Sequence, residues 1–556
     1  MVAKIKEIVK NVDRRYIWLV MLFSSAFILV MVRFCFGGQI EYVEYTYPAD
    51  ELYEMQMVIV QDGVRDLVPG RLQGQITIGA DGVTGRVHPM TAITEADVLA
   101  SEIIFESLLA IGAGGFVTGV LAESFYVSDD GHTYVFYLRD HVLFSDGTLL
   151  NADIVKQGFL YFSSLTAETV HTQHLSRLYG FRDFAMGMVD NISGIVPDND
   201  NGTISFTFSE PRGDNLWAFL TPIVHHNFGT GPFYFRGFDE GVITLAANHY
   251  YHRGRAYLDY VFIRSANLAS APLLLERGNI DLFWTDYNKD LLRQVDAMPS
   301  ISIGAFSGSQ QGFIGFNNLN PLLANPNIRE ALALGSNVSQ VTENVFGLFA
   351  QGGSPIVPEY FWLSESPGTY VAFDPERAVS LIEDEGFSIN GAGVFERNGQ
   401  ELRFRLYTLG SETFWELCNS IATNWREIGI SVTVQVLTFG SMRQAIESGD
   451  FDMMYLTMRV DFDTDFTSFT GDNVFFNSVR WFDDEAAKLA AKINQPCILG
   501  ARQAFNAWQE VYSASHVRLH VDRPKRVVFF NPHIRGLAPY GHRPFTWNIE
   551  RWSIYP

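Results

Sequence analysis

Cysteine is scarce in this sequence, with three residues in 556, at Cys35, Cys418 and Cys497. So few cysteines exclude a disulfide framework and a four-cysteine zinc site, and they leave open one bridge between Cys418 and Cys497. Basic residues are also few, with 40 Lys and Arg against 62 Asp and Glu, and the net charge is −22. Because so acidic a protein repels the phosphates of nucleic acids, we expect no nucleic-acid partner.

The motifs of common enzymes are absent too. The sequence contains no G-x-S-x-G elbow, no Walker A loop and no H-E-x-x-H motif. His171 with His174, and His225 with His226, are spaced as metal ligands can be, but neither pair has a third candidate ligand nearby. We therefore predict no enzyme activity, no catalytic residue and no metal bound by these histidines.

Three carboxylates at alternate positions, Asp461, Asp463 and Asp465, form a candidate cation-binding group. It imitates the first ligands of an EF-hand loop, but Phe466 stands where that loop needs a glycine to turn. We therefore predict no calcium site, no other metal and no cofactor. A solvated acidic turn and a role in ligand binding both remain open for this segment.

A single long apolar run lies near the N-terminus, where residues 17–32 are interrupted only by Ser24 and Ser25. With its flanks, residues 16–36 give 21 residues, about enough to cross a hydrocarbon core of ~30 Å. Basic residues dominate the segment before it, which predicts a cytoplasmic segment at 1–15, a transmembrane anchor at 16–36 and an extracellular remainder. An atypical cleaved signal peptide is the alternative interpretation.

The remaining sequence shows an α/β pattern. Residues 37–69 are acidic and rich in tyrosine, which is typical of a spacer. The residue pattern predicts strands at 74–79, 132–140 and 203–208, and a helix over 95–112. Later helices interleave with strands, which indicates an α/β domain; the helices are predicted at 271–277, 327–334, 375–385 and 412–428, and the strands at 402–408, 431–437 and 451–460.

Several segments, taken in order, resemble the bacterial extracellular solute-binding proteins of family 5, which serve oligopeptide, dipeptide and nickel ABC importers. The segments that carry the resemblance are LAESFYVSDDGHTYVFYLRD at 121–140, VLFSDGT at 142–148, GTGPFYF at 229–235, NHYYHRG at 248–254, LLERGNIDL at 274–282 and GFIGFNN at 312–318. Most of these segments are expected to have a structural role. Gly229 and Gly231 would allow a tight backbone path before Pro232, and Arg329 and Glu330 are expected on an exposed helical turn.

The resemblance implies a bilobal α/β fold like that of periplasmic binding proteins, with an extra inserted subdomain and preceded by one transmembrane helix. Lobe I would combine residues 70–102, 220–285 and 520–556. The subdomain at 103–219 would be inserted in lobe I, and lobe II would span 286–519. The lobes would close on a ligand about a hinge.

The resemblance also implies a ligand site. In peptide-binding members an aspartate pairs with the amine of the peptide, and Asp461 is expected in that role, with Asp463 as the alternative. Met458, Arg459 and Val460 would lie beside the peptide backbone. Dipeptide-binding members have an arginine where this chain has Trp415 and Glu416, which favours a longer peptide or a non-peptide ligand.

These implications predict the substrate-binding subunit of an ABC importer at the cell membrane, single-pass, with its binding domain outside. Its expected partners are a peptide ligand, ABC permease subunits with their cytoplasmic ATPases, and the membrane through the N-terminal helix. Two alternatives remain open. The same fold could bind a nickel chelate, a sugar or another solute, or the protein could be a surface receptor that senses a peptide.

Overall fold

The computed structural model describes residues 58–61, 74–112, 117–164, 172–353, 356–358, 361, 363–364, 371–495, 498–539 and 545–555. Within these ranges no helix is long and apolar enough to span a bilayer. The predicted cytoplasmic segment at 1–15 and transmembrane anchor at 16–36 lie outside the described residues, as does most of the predicted spacer.

The described chain is a mixture of helices and strands, mostly short. The helices are α1 (Glu95–Ile104), α2 (Ala152–Ser163), α3 (Thr172–Leu175), α4 (Phe181–Ala185), α5 (Ala271–Glu276), α6 (Lys289–Asp296), α7 (Pro326–Leu334), α8 (Val338–Phe346), α9 (Pro375–Asp384), α10 (Glu412–Glu427), α11 (Phe439–Ser448), α12 (Asp484–Ile493) and α13 (Ile498–Ser515). The strands are β1 (Val58–Gln61), β2 (Gln75–Ala80), β3 (Leu109–Ile111), β4 (Val117–Gly119), β5 (Ala122–Val127), β6 (Thr133–Leu138), β7 (Ile195–Asp198), β8 (Thr203–Thr207), β9 (Phe233–Asp239), β10 (Val242–Ala247), β11 (Tyr260–Ser265), β12 (Leu282–Asp286), β13 (Ser302–Phe306), β14 (Gln310–Phe316), β15 (Ala350–Gly352), β16 (Ser388–Ile389), β17 (Phe395–Arg397), β18 (Gln400–Glu401), β19 (Arg403–Leu409), β20 (Ser431–Leu437), β21 (Met453–Arg459), β22 (Arg518–Pro524), β23 (Arg526–Phe530), β24 (Ile534–Arg535) and β25 (Ser553–Ile554).

Most of the longer helices begin at a polar side chain that accepts a hydrogen bond from a backbone N–H of the first turn, which otherwise has no partner. These capping residues are Thr94, Asn151, Asn288, Asn325, Asn337, Asp374, Ser411, Thr438 and Asp483. The local sequence therefore sets where these helices start.

The first large sheet has eight strands in the order β1-β13-β23-β12-β2-β11-β10-β9. A smaller four-stranded sheet, β5-β6-β8-β7, is inserted in sequence between β2 and β9. The two share one hydrophobic core, which includes Ile78 from the large sheet and Phe136 from the small one. In that core the ring of Phe136 lies 4.3 Å from the ring of Phe219.

The second large sheet has six strands in the order β15-β22-β14-β21-β19-β20. Helices α7 to α10 contribute the core on one of its faces, where Trp425 donates from Nε1 to the carbonyl of Leu332 at 2.7 Å. A separate apolar cluster contains Met442 and Ile446 of α11 together with Met454 of β21. A third cluster, around Phe466 and Trp508, joins α12 and α13.

The chain crosses between the two large sheets at two places in its described part. Strand β13 continues through residues 307–309 into β14, and β22 continues through Lys525 into β23. The crossings lie side by side, because β13 pairs with β23 in the first sheet and β14 pairs with β22 in the second. We call these segments the two crossings.

Most predicted elements are confirmed within one or two residues at each end. They are the strands β2, β6, β8, β19, β20 and β21 and the helices α5, α7, α9 and α10. The predicted helix over 95–112 is wrong beyond Ile104, because Phe105 is extended at φ −114° and ψ 126°. The carbonyl of Ile104 instead accepts a hydrogen bond from Gly231 N–H at 2.9 Å. A Cβ at Gly229 or Gly231 would collide with the carbonyls of this helix end, so the expected tight path before Pro232 is confirmed.

One smaller expectation is overturned. Arg329 is buried rather than exposed: its guanidinium donates to the carbonyls of Ser515, at 2.8 Å, and Leu323, at 2.7 Å. Burial lowers the pKa of Arg329 to about 10. Cys418 is a free, buried thiol, and Cys497 lies outside the described residues.

Candidate functional site

The candidate site lies on the side of the six-stranded sheet that faces the two crossings. The parallel strands β19, β20 and β21 all end on that side, and helices α10 and α11 begin there. Arg459, the last residue of β21, pairs with Gln310, which follows the first crossing. Ligands of open α/β sheets bind beyond the carboxyl ends of the strands, so this side is where a ligand is expected.

Strands β19 and β21 separate toward this end. Within residues 403–459, all of which are described, they pair only through Leu406 with Met453 and Tyr407 with Met454. On its other side β21 pairs with β14 along its whole length. On the side of β19, the edge of β21 between Met454 and Arg459 therefore has no strand paired with it.

A cavity of about 430 Å³ lies in this gap. Its wall is mostly apolar and is built from the end of β19, the first turn of α10, the first two turns of α11 and the last part of β21. The apolar residues used below are Leu409, Phe414, Phe439, Met442, Ile446 and Leu456. The strand separation thus creates a space large enough for part of a ligand.

The predicted ligand-binding residues Met458, Arg459 and Val460 are at the end of β21, next to this cavity. Val460 is buried, and its N–H donates to the carbonyl of Ser309 in the first crossing at 2.9 Å. Met458 is half-buried, and its sulfur accepts from Nη1 of Arg518 at 3.5 Å. The backbone of this segment is therefore tied to the point where the two halves of the molecule join.

Asp461 is buried and already has a cationic partner. Its Oδ2 accepts from Nε and Nη2 of Arg459, at 2.9 and 2.5 Å, and its Oδ1 accepts from Phe462 N–H at 2.9 Å. The Arg459 side chain is 73% exposed. Asp463 is exposed. Of the two candidate anchors, Asp461 has the desolvated carboxylate that holds a cation.

The loop after β21 also contacts the inserted part of the first half. The ring of Phe462 packs edge to face on Trp217, with ring centroids 4.9 Å apart. Nearby, Gly213 N–H donates to the carbonyl of Asn494 at 2.9 Å. These contacts bring the inserted part and the six-stranded half together beside Asp461.

A second contact joins the halves at α10. Lys289, at the start of α6, forms an ion pair with Glu416 of α10, with Nζ and Oε2 2.8 Å apart. Tyr287 packs on Phe346, with ring centroids 4.8 Å apart, and donates to the carbonyl of Val345 at 3.3 Å. Glu416 thus binds a lysine of the other half.

A buried polar group lies behind the cavity, next to the second crossing. The hydroxyl of Tyr455 donates to Asp522 Oδ1 at 2.9 Å, and Gln311 Nε2 donates to the Asp522 carbonyl at 3.2 Å. Burial raises the pKa of Asp522 to about 7, although Tyr455 and Arg523 act in the opposite direction. Burial also raises the pKa of Tyr455. This network fixes β14, β21 and β22 relative to one another.

The described residues contain no group of three or more His, Cys, Asp and Glu side chains placed to hold a metal ion. Burial lowers the pKa of His174 to about 4, and His171 lies outside the described residues. The rings of His225 and His226 lie 4.4 Å apart. In the acidic segment, Asp465 caps a short helical turn by accepting from Thr467 N–H at 3.0 Å.

The sequence did not reveal three residues of this region. Asp522 follows a segment in which apolar residues alternate with Arg518 and His520, and it is followed by Arg523, Pro524 and Lys525. This charged interruption between two strands was the available signal. Trp217 and Lys289 had no local signal, because their partners are more than 100 residues away in the sequence.

Comparisons of the sequence with a family model and with curated proteins point to the same family. The model of the bacterial extracellular solute-binding proteins, family 5 Middle, matches residues 117–473. The chain is 23% identical over 521 residues to the oligopeptide-binding protein AppA of Bacillus subtilis (strain 168), an alignment that covers 86% of this chain and 92% of AppA.

Two solved structures share the fold. One is the murein tripeptide-binding protein MppA in its unliganded open form, with a TM-score of 0.74 and 15% identity, covering 90% of this chain and 99% of that chain. The other is NikZ from Campylobacter jejuni in complex with Ni(L-His), with a TM-score of 0.63 and 19% identity, covering 86% and 99%. At these identities the likeness concerns the fold.

Proposed function

Because this chain belongs to the bacterial extracellular solute-binding proteins of family 5, we propose that it is the substrate-binding subunit of an ABC importer and that it captures peptides. The family consists of solute-binding proteins, so its function is capture and delivery to permease subunits with cytoplasmic ATPases. The observation that carries the peptide proposal is the open edge of β21 beyond Met454, at the end of the strand that faces the crossings.

An open strand edge suits a peptide because an extended peptide can add to it as a further strand through main-chain hydrogen bonds. The peptide backbone would lie beside Met458, Arg459 and Val460, with side chains on alternate faces. The name of the relative AppA, an oligopeptide-binding protein, supports the same ligand class.

Asp461 is the proposed partner of the peptide amine. An ammonium that loses its water between closing halves needs a fixed carboxylate, and Asp461 is buried and fixed by the N–H of Phe462. The Arg459 guanidinium now bound there is mostly exposed, so a ligand ammonium can take its place at Asp461 while Arg459 turns to solvent. Asp463 remains the alternative partner.

The two lobes are proposed to be the two halves of the molecule, built on the eight-stranded and six-stranded sheets. The boundaries between them would be the two crossings, at 307–309 and 525, which are later than the boundaries at 286 and 520 predicted from the sequence. Closure would need changes of φ and ψ only in these few residues.

Membrane attachment through residues 16–36 is a separate part of the proposal. It is supported by the 21-residue apolar span and by the basic residues before it. Protein extracted from membranes should have the intact mass of the full sequence. A mature N-terminus between residues 30 and 50, or a lipid on Cys35, would contradict the anchor.

Mass spectrometry of ligand carried through purification tests the peptide proposal directly. We expect peptides with free amines in the bound fraction. A nickel chelate, a sugar or another solute in their place would favour the alternative ligand class. Binding of peptides without any stimulation of uptake by the permease would favour a peptide-sensing receptor.

A further inference from the structure

The size and the apolar wall of the cavity beside β21 can select the side chain that enters it. Its volume of about 430 Å³ lies within the range of about 300–1,000 Å³ that is usual for ligand pockets. It opens where β19 and β21 separate, and Thr457 on its wall immediately precedes the proposed peptide-binding residues. A peptide side chain that leaves the backbone beside Thr457 would therefore enter it.

The wall offers mainly apolar contact. Leu409, Phe414, Phe439, Met442, Ile446 and Leu456 come from four different elements and surround the space. Phe439 is 76% exposed, which makes it a large apolar side chain in contact with water next to an apolar cavity. Covering such surface is favourable by about 25 cal/mol per Å².

Two of the three polar side chains of the wall, Tyr455 and Arg443, are already engaged, and the third, Thr457, carries no charge. The hydroxyl of Tyr455 donates to Asp522 at 2.9 Å. Arg443 binds Glu447, with Nε and Oε1 2.9 Å apart, and its guanidinium lies 5.4 Å from the ring centroid of Phe475. A charged side chain entering the cavity would lose its water and meet no ready counter-ion, which is costly.

We infer that this cavity binds one bulky apolar side chain of the ligand, aromatic or long aliphatic, and that the protein therefore selects peptides by that residue. The inference rests on the proposed function, since it assumes a peptide at β21. It differs from a water-filled, tolerant pocket, in which every side chain would bind about equally well.

Binding of defined peptides to the full-length protein, measured by isothermal titration calorimetry, tests the inference. The probes are free-amine hexapeptides of alanine and serine in which one position carries Phe, Lys or Asp, and all six positions are scanned. At one position Phe should raise the affinity about 10- to 150-fold over the unsubstituted peptide. Lys or Asp at that position should weaken binding.

Variants link the preference to the cavity. Thr457 is exposed at the cavity wall, so Thr457→Trp should fold normally, fill the cavity and reduce the ratio of affinities between the Phe and alanine–serine peptides to about one. Phe439→Ala should lower that ratio several-fold. Phe482 is also exposed, at 62%, but is not part of the wall, so Phe482→Ala is the matched control and should keep the full ratio.

The outcomes separate the two proposals. Equal affinity for the Phe, Lys and Asp peptides at every position would overturn the cavity inference and leave peptide capture standing. A Phe preference that survives in Thr457→Trp would also overturn it. Failure of every hexapeptide to bind, while a non-peptide solute binds, would overturn the proposed function together with the inference.

Discussion

At the scale of single residues, the pairing of Asp461 with Arg459 leads to a direct test. Asp461→Asn keeps the oxygen that accepts from Phe462 N–H, so the local turn should persist while the charge is lost. Affinity for a free-amine peptide should fall about 30- to 4000-fold, because losing one partner of a desolvated ion pair costs about 2–5 kcal/mol. The N-acetylated form of the same peptide should bind about equally to both proteins, as measured by calorimetry.

Two further variants serve as controls for this prediction. Asp463→Asn alters an exposed carboxylate and should change the affinity by no more than about fivefold. Arg459→Gln removes the cation that occupies Asp461 and should leave free-amine binding equal or slightly tighter. If Asp463→Asn weakens binding while Asp461→Asn does not, the amine partner is Asp463.

Asp522 predicts a pH dependence of stability. Its pKa is raised from an ordinary value near 3.8 to about 7, because burial disfavours the charged form. Between about pH 4 and pH 7 the folded protein therefore keeps a proton that the unfolded chain has released, so the free energy of unfolding falls as pH rises through this range. The loss is at most about 4 kcal/mol and is complete above pH 7.

Asp522→Asn has nearly the same shape and does not ionise, so it should lack this loss. The thermal midpoint of the variant minus that of the unmodified protein should therefore be larger at pH 8 than at pH 5. The contributions of the other titrating groups to the midpoint cancel in that difference, because both proteins have these groups. The same difference in midpoint at both pH values would contradict the assignment to Asp522.

At the scale of elements, β14 requires glycine at one position. A Cβ at Gly312 would overlap the Asp522 carboxylate and the Tyr455 hydroxyl, so the buried hydrogen bond between these two side chains could not keep its place. Gly312→Ala should destabilise the fold by about 1–3 kcal/mol in urea unfolding, as overpacking does. Gly237→Ala in β9, where a Cβ meets nothing within 4 Å, is the matched control and should be nearly neutral.

The sequence predicted elements whose signals are local. The apolar, β-prone run at 451–460 indicated β21, and the helix predicted at 412–428 is α10. It did not predict the separation of β19 from β21, because strand pairing depends on residues far apart in the chain. For the same reason the sequence did not indicate Trp217, which packs on Phe462 beside Asp461, or Lys289, which pairs with Glu416; both come from the other half.

At the scale of the whole molecule, two narrow crossings joining two large sheets predict a rigid-body closure. The radius of gyration of a soluble form beginning at residue 58, measured by small-angle scattering, should fall when a peptide that binds is added at a saturating concentration. Ligand bound without a change in the scattering profile would indicate a rigid groove.

The ion pair of Lys289 with Glu416 joins the two halves and should favour closure slightly. Because both side chains are partly exposed, Lys289→Ala should weaken peptide binding by no more than about fivefold, and the difference should disappear at 1 M salt. Calorimetry at low and high salt measures this. A loss that persists at 1 M salt would mean that Lys289 contacts the ligand itself.

Strand β1 has a mechanical consequence. It pairs antiparallel to β13, with Val58 opposite Ala305, so the chain that comes from the N-terminus enters the sheet beside the first crossing. A force applied through that chain would act close to the pivot of the closing motion, with a short lever arm and little torque on either half. Tension applied at the N-terminus would therefore not separate the two halves. The affinity for the ligand would be insensitive to that tension.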